Sequence, residues 1–589
     1  IAISIPLSIL ASVICLSVMG ETINIMTLGG LALAVGILVD DATVTIENID
    51  VHLEAGHDVE SAIIRGSEQI ALPALVSTLS ICIVFVPMFL LPGVAKFLFV
   101  PLAEAVVFAM LASYLLSRSL VPTLAKYWLK AHTAGGGHVA RGLWGRFEYA
   151  FQQRFDIIRE EYRGLLERAL QARWKFVTPF LLSMAATALL AFPIGYLPGL
   201  GQDFFPAVDG GQIKLHLRAR TGSRIDSTTR LCDSVEKTIR AVIPAEEIES
   251  VVDNIGQPNS GINLAYSTSA PVGAGDADIY VMLKPRHAPT ERYVQLLRER
   301  LRGEFPSTQF AFLSADIVGQ ILNFGLPSPV DIQIAGFNVQ GNRAYANALL
   351  NDMRTIPGIT DLRIQQAFDF PTLKVEVDRS RAAMLGVTEK DVASSLLISL
   401  SGSAQTAPSY WLDPKSGSTY SVAAQTPQYR MTSLSDLRAT PVTSGASAGS
   451  VQDLGNLATI ERAVSPAVVT HFNAKPAIDI FASVDGADLG YVAARIEKVL
   501  GAARAQAPRG TTTTVKGQIE TMHSSFNGLL LGLAGAVILI YLLMVVNFQS
   551  WLDPFIIITA LPAALAGIVW MLFLTHTTVS VPALTGAIM

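Results

Sequence analysis

The sequence contains little charge and little cysteine. Of its 589 residues, 15% are charged and three are cysteines, whereas 51% are hydrophobic. Soluble domains average about 25% charged residues, so an ordinary soluble class is excluded and a membrane protein is expected. The formal net charge of -5 provides no basic surface for a polyanion, and no nucleic-acid partner is expected. Cys15, Cys82 and Cys232 are too isolated to predict a disulfide framework or a thiolate metal cage.

Motifs for phosphate and metal chemistry are also absent from the sequence. The run GLALAVG, residues 30–36, lacks the Lys and the Ser or Thr that hold phosphate and Mg²⁺ in a nucleotide loop. No paired His predicts zinc, and no Ser-His-Asp set has a supporting context. We therefore predict that the protein is not an enzyme, holds no cofactor or metal of its own, and draws its energy from an ion gradient rather than from ATP.

Seven long apolar segments predict membrane helices, because a spanning helix needs about 20 mostly apolar residues. The seven are Ile1 to Met19, Met26 to Ile46, Ile70 to Leu91, Leu98 to Leu124, Trp174 to Leu197, Phe526 to Val546 and Phe555 to Leu574. An eighth segment begins at Val579. Both ends of the chain thus fall inside apolar runs, so a fragment truncated at both ends is expected.

The distribution of basic residues predicts the orientation of these helices. Ten Lys and Arg residues lie between Lys126 and Lys175, which places this loop in the cytoplasm and the long stretch from Leu197 to Phe526 outside, in the periplasm of a bacterium. Within the loop, apolar side chains recur at three- and four-residue steps from Phe147 to Leu165. This spacing predicts an amphipathic helix, either at the membrane surface or packed under the bundle.

The periplasmic stretch has the pattern of repeated strand-helix-strand units. Alternating strands at Gln212 to Arg218 and Ile248 to Asn254 flank a helix at Asp226 to Ile243. The same order recurs further along the chain, for example with a strand at Val330 to Ala335 and a helix at Arg343 to Ile356. Such repetition predicts ferredoxin-like split-βαβ modules, a fold that by itself does not specify function.

Two adjacent acids interrupt the second apolar segment. Asp40 and Asp41 lie inside the run GGLALAVGILVDDATVTIEN, residues 29–48. A charged carboxylate at the bilayer centre costs roughly 2.5–3.5 kcal/mol, so the pair is expected to face the bundle interior, to have partners or to carry a proton. Two carboxyls this close titrate as a coupled unit, which predicts a proton-exchanging site. The alternative is that the pair ends the helix at the interface, although the apolar pattern continues to Ile46.

The run GILVDDATVTIENI, residues 36–49, closely resembles the fourth membrane helix of resistance-nodulation-division (RND) permeases, especially the acriflavine-resistance-type exporters of hydrophobic and amphiphilic compounds. The resemblance continues in order and spacing along essentially the whole chain. It includes FVPMFLLPG at 85–93, LVPTLAKYWLK at 120–130, LPGLGQDFFPAVDGG at 197–211 and MVVNFQSWLDPFIII at 544–558.

This resemblance implies a multi-pass protein of the bacterial inner membrane, with an α-helical transmembrane bundle and a periplasmic α+β porter and docking region of split-βαβ modules. It also implies a homotrimer in the lipid bilayer that works with a periplasmic adaptor (membrane fusion) protein and an outer-membrane channel. Amphipathic or hydrophobic small molecules, including drugs and other xenobiotics, would leave the periplasm or outer leaflet in exchange for inward protons.

The family order implies a division of the chain into membrane, porter and docking parts. Residues 1–125 would hold the third to sixth membrane helices, 126–173 the cytoplasmic loop, 174–197 a further membrane helix, 198–305 one porter subdomain, 306–367 and 466–522 a second porter subdomain, 368–465 the docking insertion, and 523–589 the last membrane helices.

The resemblance also assigns roles to individual residues. Asp40 and Asp41 match the proton-relay aspartates of the family. The relay lysine of some members lies in the tenth helix, and only the first residues of that helix are expected in this sequence. The substrate pathway is expected at the glycine-rich switch loop, from Gly256 to Gly275 with Tyr266. This segment lacks the phenylalanine cluster of drug pumps, so an ordinary polar loop is the alternative.

Other functions compete with export of amphipathic molecules. A heavy-metal exporter of the same family would use methionine thioethers, but Met282, Met353, Met384 and Met431 are scattered singly. An intramembrane aspartyl protease needs acids converging from separate helices, whereas neighbours on one helix point about 100° apart. A truncated relic that inserts without pumping is the third alternative. Protons are favoured over sodium ions because no oxygen cage accompanies the acids.

Overall fold

The computed structural model describes residues 2–129, 143–191, 200–206, 208–258, 261–265, 267, 269–444 and 451–588. The helices are α1 Ser4–Met19, α2 Ile25–Glu54, α3 Val59–Gln69, α4 Ala71–Val84, α5 Gly93–Trp128, α6 Leu143–Gln171, α7 Arg173–Ala191, α8 Ile225–Val242, α9 Gly261–Ala265, α10 Thr290–Glu304, α11 Ile317–Leu322, α12 Val339–Met353, α13 Arg379–Met384, α14 Glu389–Ser401, α15 Leu434–Arg438, α16 Leu454–Leu457, α17 Leu489–Ala503, α18 Gln518–Phe548, α19 Leu552–Ile558, α20 Leu561–Leu574 and α21 Val581–Ile588.

The strands complete the soluble region. They are β1 Gln212–Arg218, β2 Ile248–Ile255, β3 Asp276–Leu283, β4 Gln309–Leu313, β5 Val330–Ala335, β6 Ile359–Ile364, β7 Phe370–Val377, β8 Ser409–Leu412, β9 Thr419–Val422, β10 Pro441–Val442, β11 Gln452–Asp453, β12 Ala458–Ser465, β13 Thr470–Phe472, β14 Lys475–Val484 and β15 Thr512–Gly517.

Five helical segments within the described residues are long and apolar enough to cross a membrane. They are Ile25–Glu54, Ala71–Leu90, Gly93–Trp128, Gln518–Phe548 and Leu552–Leu574. The first predicted span is a shorter helix of 16 residues, Ser4–Met19. The predicted span from Trp174 to Leu197 corresponds to α7 as far as Ala191, and residues 192–199 lie outside the described part of the chain.

Helix α2 is longer than the apolar pattern predicts, and its start has a clear cause. The Asn24 side chain accepts hydrogen bonds from the backbone N–H groups of Met26 and Thr27, and Thr27 Oγ1 accepts one from the Asn24 N–H, which forms a capping box. The helix then continues for 30 residues to Glu54. Both acids therefore lie well inside a helix, and the alternative that they end it is wrong.

Small residues bring α2 against α5. A Cβ atom at Gly30 would lie 2.6 Å from the Leu102 carbonyl oxygen, so only glycine allows this approach, and Ala34, four residues later along α2, is fully buried. Gly29 and Gly36, which the sequence also suggested for helix packing, meet nothing within 4 Å. The helix contact therefore uses one face of the small-residue run.

Helix α6 lies in the loop for which the sequence predicts a cytoplasmic location and an amphipathic helix. It extends from Leu143 to Gln171, and its apolar residues Phe151, Phe155, Ile158 and Tyr162 are exposed in the described chain. An uncovered apolar stripe of this kind is typical of a helix that lies at a membrane surface.

Two antiparallel sheets form the centre of the soluble region. The first has the order β2-β3-β1-β4, and α8 and α10 pack on it around a core of its own. The second has the order β13-β14-β5-β15, with β6 also paired to β14. Its core is continuous with the membrane helices, since Ile332 and Ile480 belong to the same buried cluster as Leu38 and Met110. The second sheet is thus anchored to the bundle. The first sheet contacts the second through side chains such as Arg298, which pairs with Asp361.

The observed architecture is a helical membrane bundle with an α+β soluble region, as the sequence predicted. β1 and β5 have the predicted bounds, whereas β6 and β15 were not predicted. A smaller third cluster, around Val392 and Leu454, lies under the two-stranded sheet of β7 and β12. The division of the chain into named subdomains remains a proposal.

Candidate functional site

Helix α2 holds Asp41 far from either of its ends. Asp41 follows the first residue of the helix by about 24 Å of axial rise and precedes the last by about 20 Å. Asp40 is exposed in the described chain, whereas Asp41 is partly buried. The sequence suggested that both carboxyls are enclosed; the structure encloses Asp41 alone, because successive residues on a helix point about 100° apart.

The carboxylate of Asp41 has few hydrogen-bond donors. Thr78 Oγ1 lies 3.5 Å from its Oδ1, but the same hydroxyl also lies 2.9 Å from the Ala74 carbonyl oxygen and has one proton to give. Oδ2 is buried with no hydrogen-bond partner among the described residues. A charged carboxylate in this position is poorly compensated, and binding a proton removes the charge.

Helix α5 supplies two polar residues beside Asp41. The Ser113 hydroxyl donates to the Leu38 carbonyl of α2 at 3.3 Å, and it also interacts with the Asp41 carboxylate. Arg118, one and a half turns further along α5, is close enough for its charge to act on Asp41. The sequence pattern predicted this helix as an apolar span, and Arg118 was missed. Arg118 could have been selected from the sequence, because any ionisable residue inside a membrane helix is a candidate functional residue.

The proposed substrate loop begins and ends on adjacent strands. The Gly256 N–H donates to the Asp276 carbonyl, and the Gly275 carbonyl accepts from the Ala219 N–H, both at 2.8 Å. Gly256 has a φ of +84°, a conformation that favours glycine at the point where the loop leaves β2. Tyr266 lies outside the described residues. The two glycines therefore fix the ends of the loop, and their role in substrate passage stays a prediction.

The returning part of this loop is held against the second sheet. The Arg218 Nε donates to Asp276 Oδ1 at 2.8 Å, and its Nη1 donates to the Gln365 carbonyl at 2.9 Å. The Gln365 side chain in turn donates to the Ala270 carbonyl at 2.5 Å. A movement of the first sheet relative to the second would consequently move the loop.

A cleft lies between the first and second sheets. Its cavity has a volume of about 570 Å³ and is lined on one side by Arg298, Arg302 and Phe310 and on the other by Ile359 and Asp361. Arg298 binds both Asp361 and Asp485 across the cleft. The cleft is large enough for a small-molecule ligand.

Soft-metal ligands are not gathered in the part of the chain that the structure describes. No group of three or more His, Cys, Asp or Glu residues there is placed to hold a metal ion. Met384 and Met282 are exposed, whereas Met353 is buried in the core of the second sheet. The methionines weighed in the sequence are therefore dispersed in space as well.

Comparison with known proteins shows similarity to a transporter family and to proteins named for efflux. The family model described as AcrB/AcrD/AcrF matches residues 1–589. The chain is 25% identical over 588 residues to the cation efflux system protein CzcA of Alcaligenes sp. (strain CT14), covering 96% of this chain and 52% of that protein. It is 25% identical over 600 residues to the cation efflux system protein CusA of Escherichia coli (strain K12), covering 100% and 54%.

A further relative and one solved structure are also similar to the whole chain. The swarming motility protein SwrC of Bacillus subtilis (strain 168) is 23% identical over 598 residues, covering 100% of this chain and 52% of that protein. A crystal structure described as a heavy metal efflux pump, crystal form II, aligns with a TM-score of 0.78 at 22% identity, covering 100% of this chain and 55% of that chain. The chain therefore spans about half the length of the curated relatives it matches.

The family match covers the membrane helices, both central sheets and the segment that contains Asp41. Its members are secondary active transporters of the inner membrane and not enzymes. The fold neighbour agrees with the observed bundle and soluble region. The chain belongs to the AcrB/AcrD/AcrF family of RND transporters.

Proposed function

We propose that the full-length protein is an exporter driven by the proton-motive force, in which Asp40 and Asp41 carry the protons. The observation that supports this most directly is the Asp41 carboxyl, enclosed in mid-helix with an oxygen that no described group satisfies. One charge moving through the membrane field releases about 2.3 kcal/mol per 100 mV, so proton entry can supply work.

In this mechanism the protonation of Asp41 changes the packing of the bundle. The neutral carboxyl tolerates its apolar surroundings between α2, α4 and α5, whereas the charged form attracts polar groups and water. Because the second sheet shares a core with these helices, a shift of α2 or α5 reaches the soluble region directly. The first sheet is joined to the second by the Arg298 and Arg218 contacts, so the cleft between them is the place where movement can open a path for cargo.

We infer that the cargo is a heavy-metal cation. This inference is supported by the relatives that carry a cation exporter's name, CzcA and CusA, and it replaces the sequence-based expectation of broad export of drugs and other xenobiotics. Amphipathic cargo is the second candidate. It is favoured by a cavity of about 230 Å³ lined mainly by apolar side chains, including Val339, Phe368 and Val469, and by the dispersed metal ligands described above.

We propose the protein partners from family membership and from one exposed hairpin of the structure. RND pumps act as homotrimers with a periplasmic adaptor protein and an outer-membrane channel. The β8–β9 hairpin exposes Tyr410, Trp411 and Tyr420 to solvent in the described chain. Exposed aromatic clusters of this kind mark protein contacts, so we assign the hairpin to the subunit interface.

The test is a resistance assay with the complete gene in a host that lacks its own exporters. Wild-type protein, Asp40→Asn and Asp41→Asn are compared against Zn²⁺, Cd²⁺, Co²⁺ and Cu⁺ and against cationic dyes and bile salts. Glu54→Gln, an exposed acid at the end of the same helix, is the matched control. We expect metal resistance in the wild type and the control, and none in either aspartate variant at equal trimer yield.

The resistance assay tests the cargo and the energy source separately. Protection against dyes without protection against metals would establish the amphipathic cargo instead. Normal protection by Asp41→Asn would contradict the proton-driven mechanism, whichever cargo is exported.

A further inference from the structure

Arg118 is a charged residue inside helix α5, which lies along α2. The two helices contact each other at Gly30 and Leu102 and again at Leu38 and Ser113, so they run in the same direction. Asp41 lies three residues beyond Leu38 and Arg118 lies five residues beyond Ser113, which correspond to axial rises of about 4.5 and 7.5 Å. The guanidinium therefore belongs to the level of Asp41 or just beyond it, towards the cytoplasmic end of the bundle.

The guanidinium of Arg118 is only partly satisfied. Its Nη1 donates to the Ser67 carbonyl in α3 at 3.3 Å, and its central carbon lies 5.6 Å from the centroid of the Tyr114 ring. Its Nε and Nη2 are buried with no hydrogen-bond acceptor in the described part of the chain. A guanidinium has five N–H donors and stays charged, so unused donors in a buried position are costly unless an anion is near.

Within the described chain, part of the Asp41 carboxyl lacks a hydrogen-bond donor, just as part of the Arg118 guanidinium lacks acceptors. Asp41 Oδ2 is buried and has no donor among the described residues, while Arg118 has two nitrogen atoms without an acceptor. The charges of the two side chains act on each other. The other titratable groups that act on Asp41 are Asp40 on α2 and Cys82 on α4, neither of which is a cation.

We propose that Arg118 is the positioning residue and counter-ion of Asp41 on the cytoplasmic side of the relay. When Asp41 loses its proton to the cytoplasm, the free N–H groups of Arg118 turn to Oδ2. When Asp41 is protonated, the guanidinium rests on the Ser67 carbonyl and the Tyr114 ring, the arrangement seen here. Ser67 lies in α3, which belongs to the predicted cytoplasmic linker between the membrane helices. The movement of the guanidinium between Asp41 and Ser67 therefore couples the charge of Asp41 to this linker.

This inference depends on the proposed function, and it differs from a merely structural role in one measurable way. A counter-ion makes it easier for Asp41 to release its proton, so its removal should change the pH dependence of transport. An arginine that only fills space or anchors α3 would lower the amount of folded protein without moving that dependence.

The first experiment measures proton-coupled transport by the full-length protein in liposomes, with the pH on the cytoplasmic side varied. For Arg118→Gln we expect the pH of half-maximal transport to rise by about one unit or more, the effect of removing one opposite charge at close range. Arg118→Lys should fall between this variant and the wild type. Lys126→Gln on the same helix, whose side chain is exposed and paired with Glu60 at 2.6 Å, should leave the profile unchanged.

The second experiment covers the case in which Arg118→Gln folds poorly. The Tm of the purified full-length protein is measured at alkaline pH, where a charged Asp41 would pair with Arg118, for Arg118→Gln, Asp41→Asn and the double variant. If the residues form a pair, the double variant should lose less than the sum of the two single losses. An unshifted pH profile, or additive losses in Tm, would overturn the role of Arg118, whereas normal transport by Asp41→Asn would instead remove the proposed function on which it depends.

Discussion

The guanidinium of Arg298 binds both carboxylate oxygens of Asp361, with Nε at 3.1 Å and Nη2 at 3.0 Å. Arg298 lies on α10 of the first sheet and Asp361 on β6 of the second, so this pair crosses the cleft. Asp485 binds the remaining Nη1. All three side chains are largely buried, which makes the contact stronger than a surface ion pair and also makes its partial removal costly.

Arg298→Met should therefore destabilise the soluble region. It leaves Asp361 buried without its cation, and breaking a buried pair in this way costs about 3–5 kcal/mol. Arg300→Met is the matched control, since Arg300 lies two residues away on the same helix in an exposed pair with Glu304, for which a loss below about 1 kcal/mol is expected. Thermal unfolding of the purified full-length protein measures both, and equal Tm values for the two variants would contradict the cross-cleft role.

Asp331→Asn should change how stability depends on pH. Burial raises the pKa of Asp331 to about 8, with a further rise from the nearby Asp479 and a smaller opposing effect of Lys516. The folded protein therefore keeps a proton that the unfolded chain has lost, and wild-type stability falls as pH rises from about 4 to about 8, by about 1.4 kcal/mol per pH unit.

The neutral Asn side chain removes this dependence. The Tm of Asp331→Asn should thus exceed that of the wild type by an amount that grows between pH 5 and pH 8 and then stays constant. Asp352→Asn, at an exposed position on the neighbouring helix α12, should follow the wild type throughout. Parallel curves for Asp331→Asn and the wild type would show that Asp331 is charged in the folded protein.

Gly30→Ala should weaken the contact between α2 and α5. The new methyl group would lie 2.6 Å from the Leu102 backbone oxygen, so the helices must separate, at a cost of about 1–3 kcal/mol. Gly29→Ala adds the same methyl group where nothing lies within 4 Å, and alanine's higher helix propensity favours it. Reduced transport and Tm are expected for the first variant alone; equal behaviour would mean that the helices do not pack as closely as described.

Trp411→Ser should lower the fraction of trimer. Trp411 lies opposite Tyr420 in the β8–β9 hairpin, with 5.9 Å between the ring centroids, and both side chains are exposed in the described chain. If the hairpin enters a neighbouring subunit, loss of the indole removes apolar burial at that contact. Light scattering of the detergent-solubilised protein measures the trimer. Tyr429→Ser, an exposed aromatic outside the hairpin, should leave it intact, and an unchanged trimer in Trp411→Ser would exclude the hairpin from the interface.

Local sequence patterns were sufficient for much of this architecture. The apolar runs of α2 and α5 and the alternation of β1 and β5 predicted elements at nearly the observed positions, because hydrophobic periodicity reflects which faces are buried. β6 and β15 were missed, since neither carries a clean alternation and both depend on pairing with β14 and β5. Their burial pattern comes from neighbours far away in the chain.

The candidate site likewise includes residues that the sequence predicted and contacts that only the structure shows. An acid pair inside an apolar run was enough to select Asp40 and Asp41, because a charge in a membrane helix is costly wherever the other helices lie. Which of the two is enclosed depended on the position of α4 and α5 around α2, and that is why Asp41 and not Asp40 meets Thr78. Arg118 is visible in the sequence, yet its relation to Asp41 appears only when the two helices are brought together.

The sequence by itself determined that this chain is a membrane protein with a periplasmic α+β region and an intramembrane acid pair, because those features depend on composition and on local spacing. The tertiary structure decided that a partly buried arginine, Arg118, accompanies Asp41 and that Arg298 bridges the cleft. Such contacts join residues that are far apart in the chain, and their strength depends on burial, which no local pattern specifies.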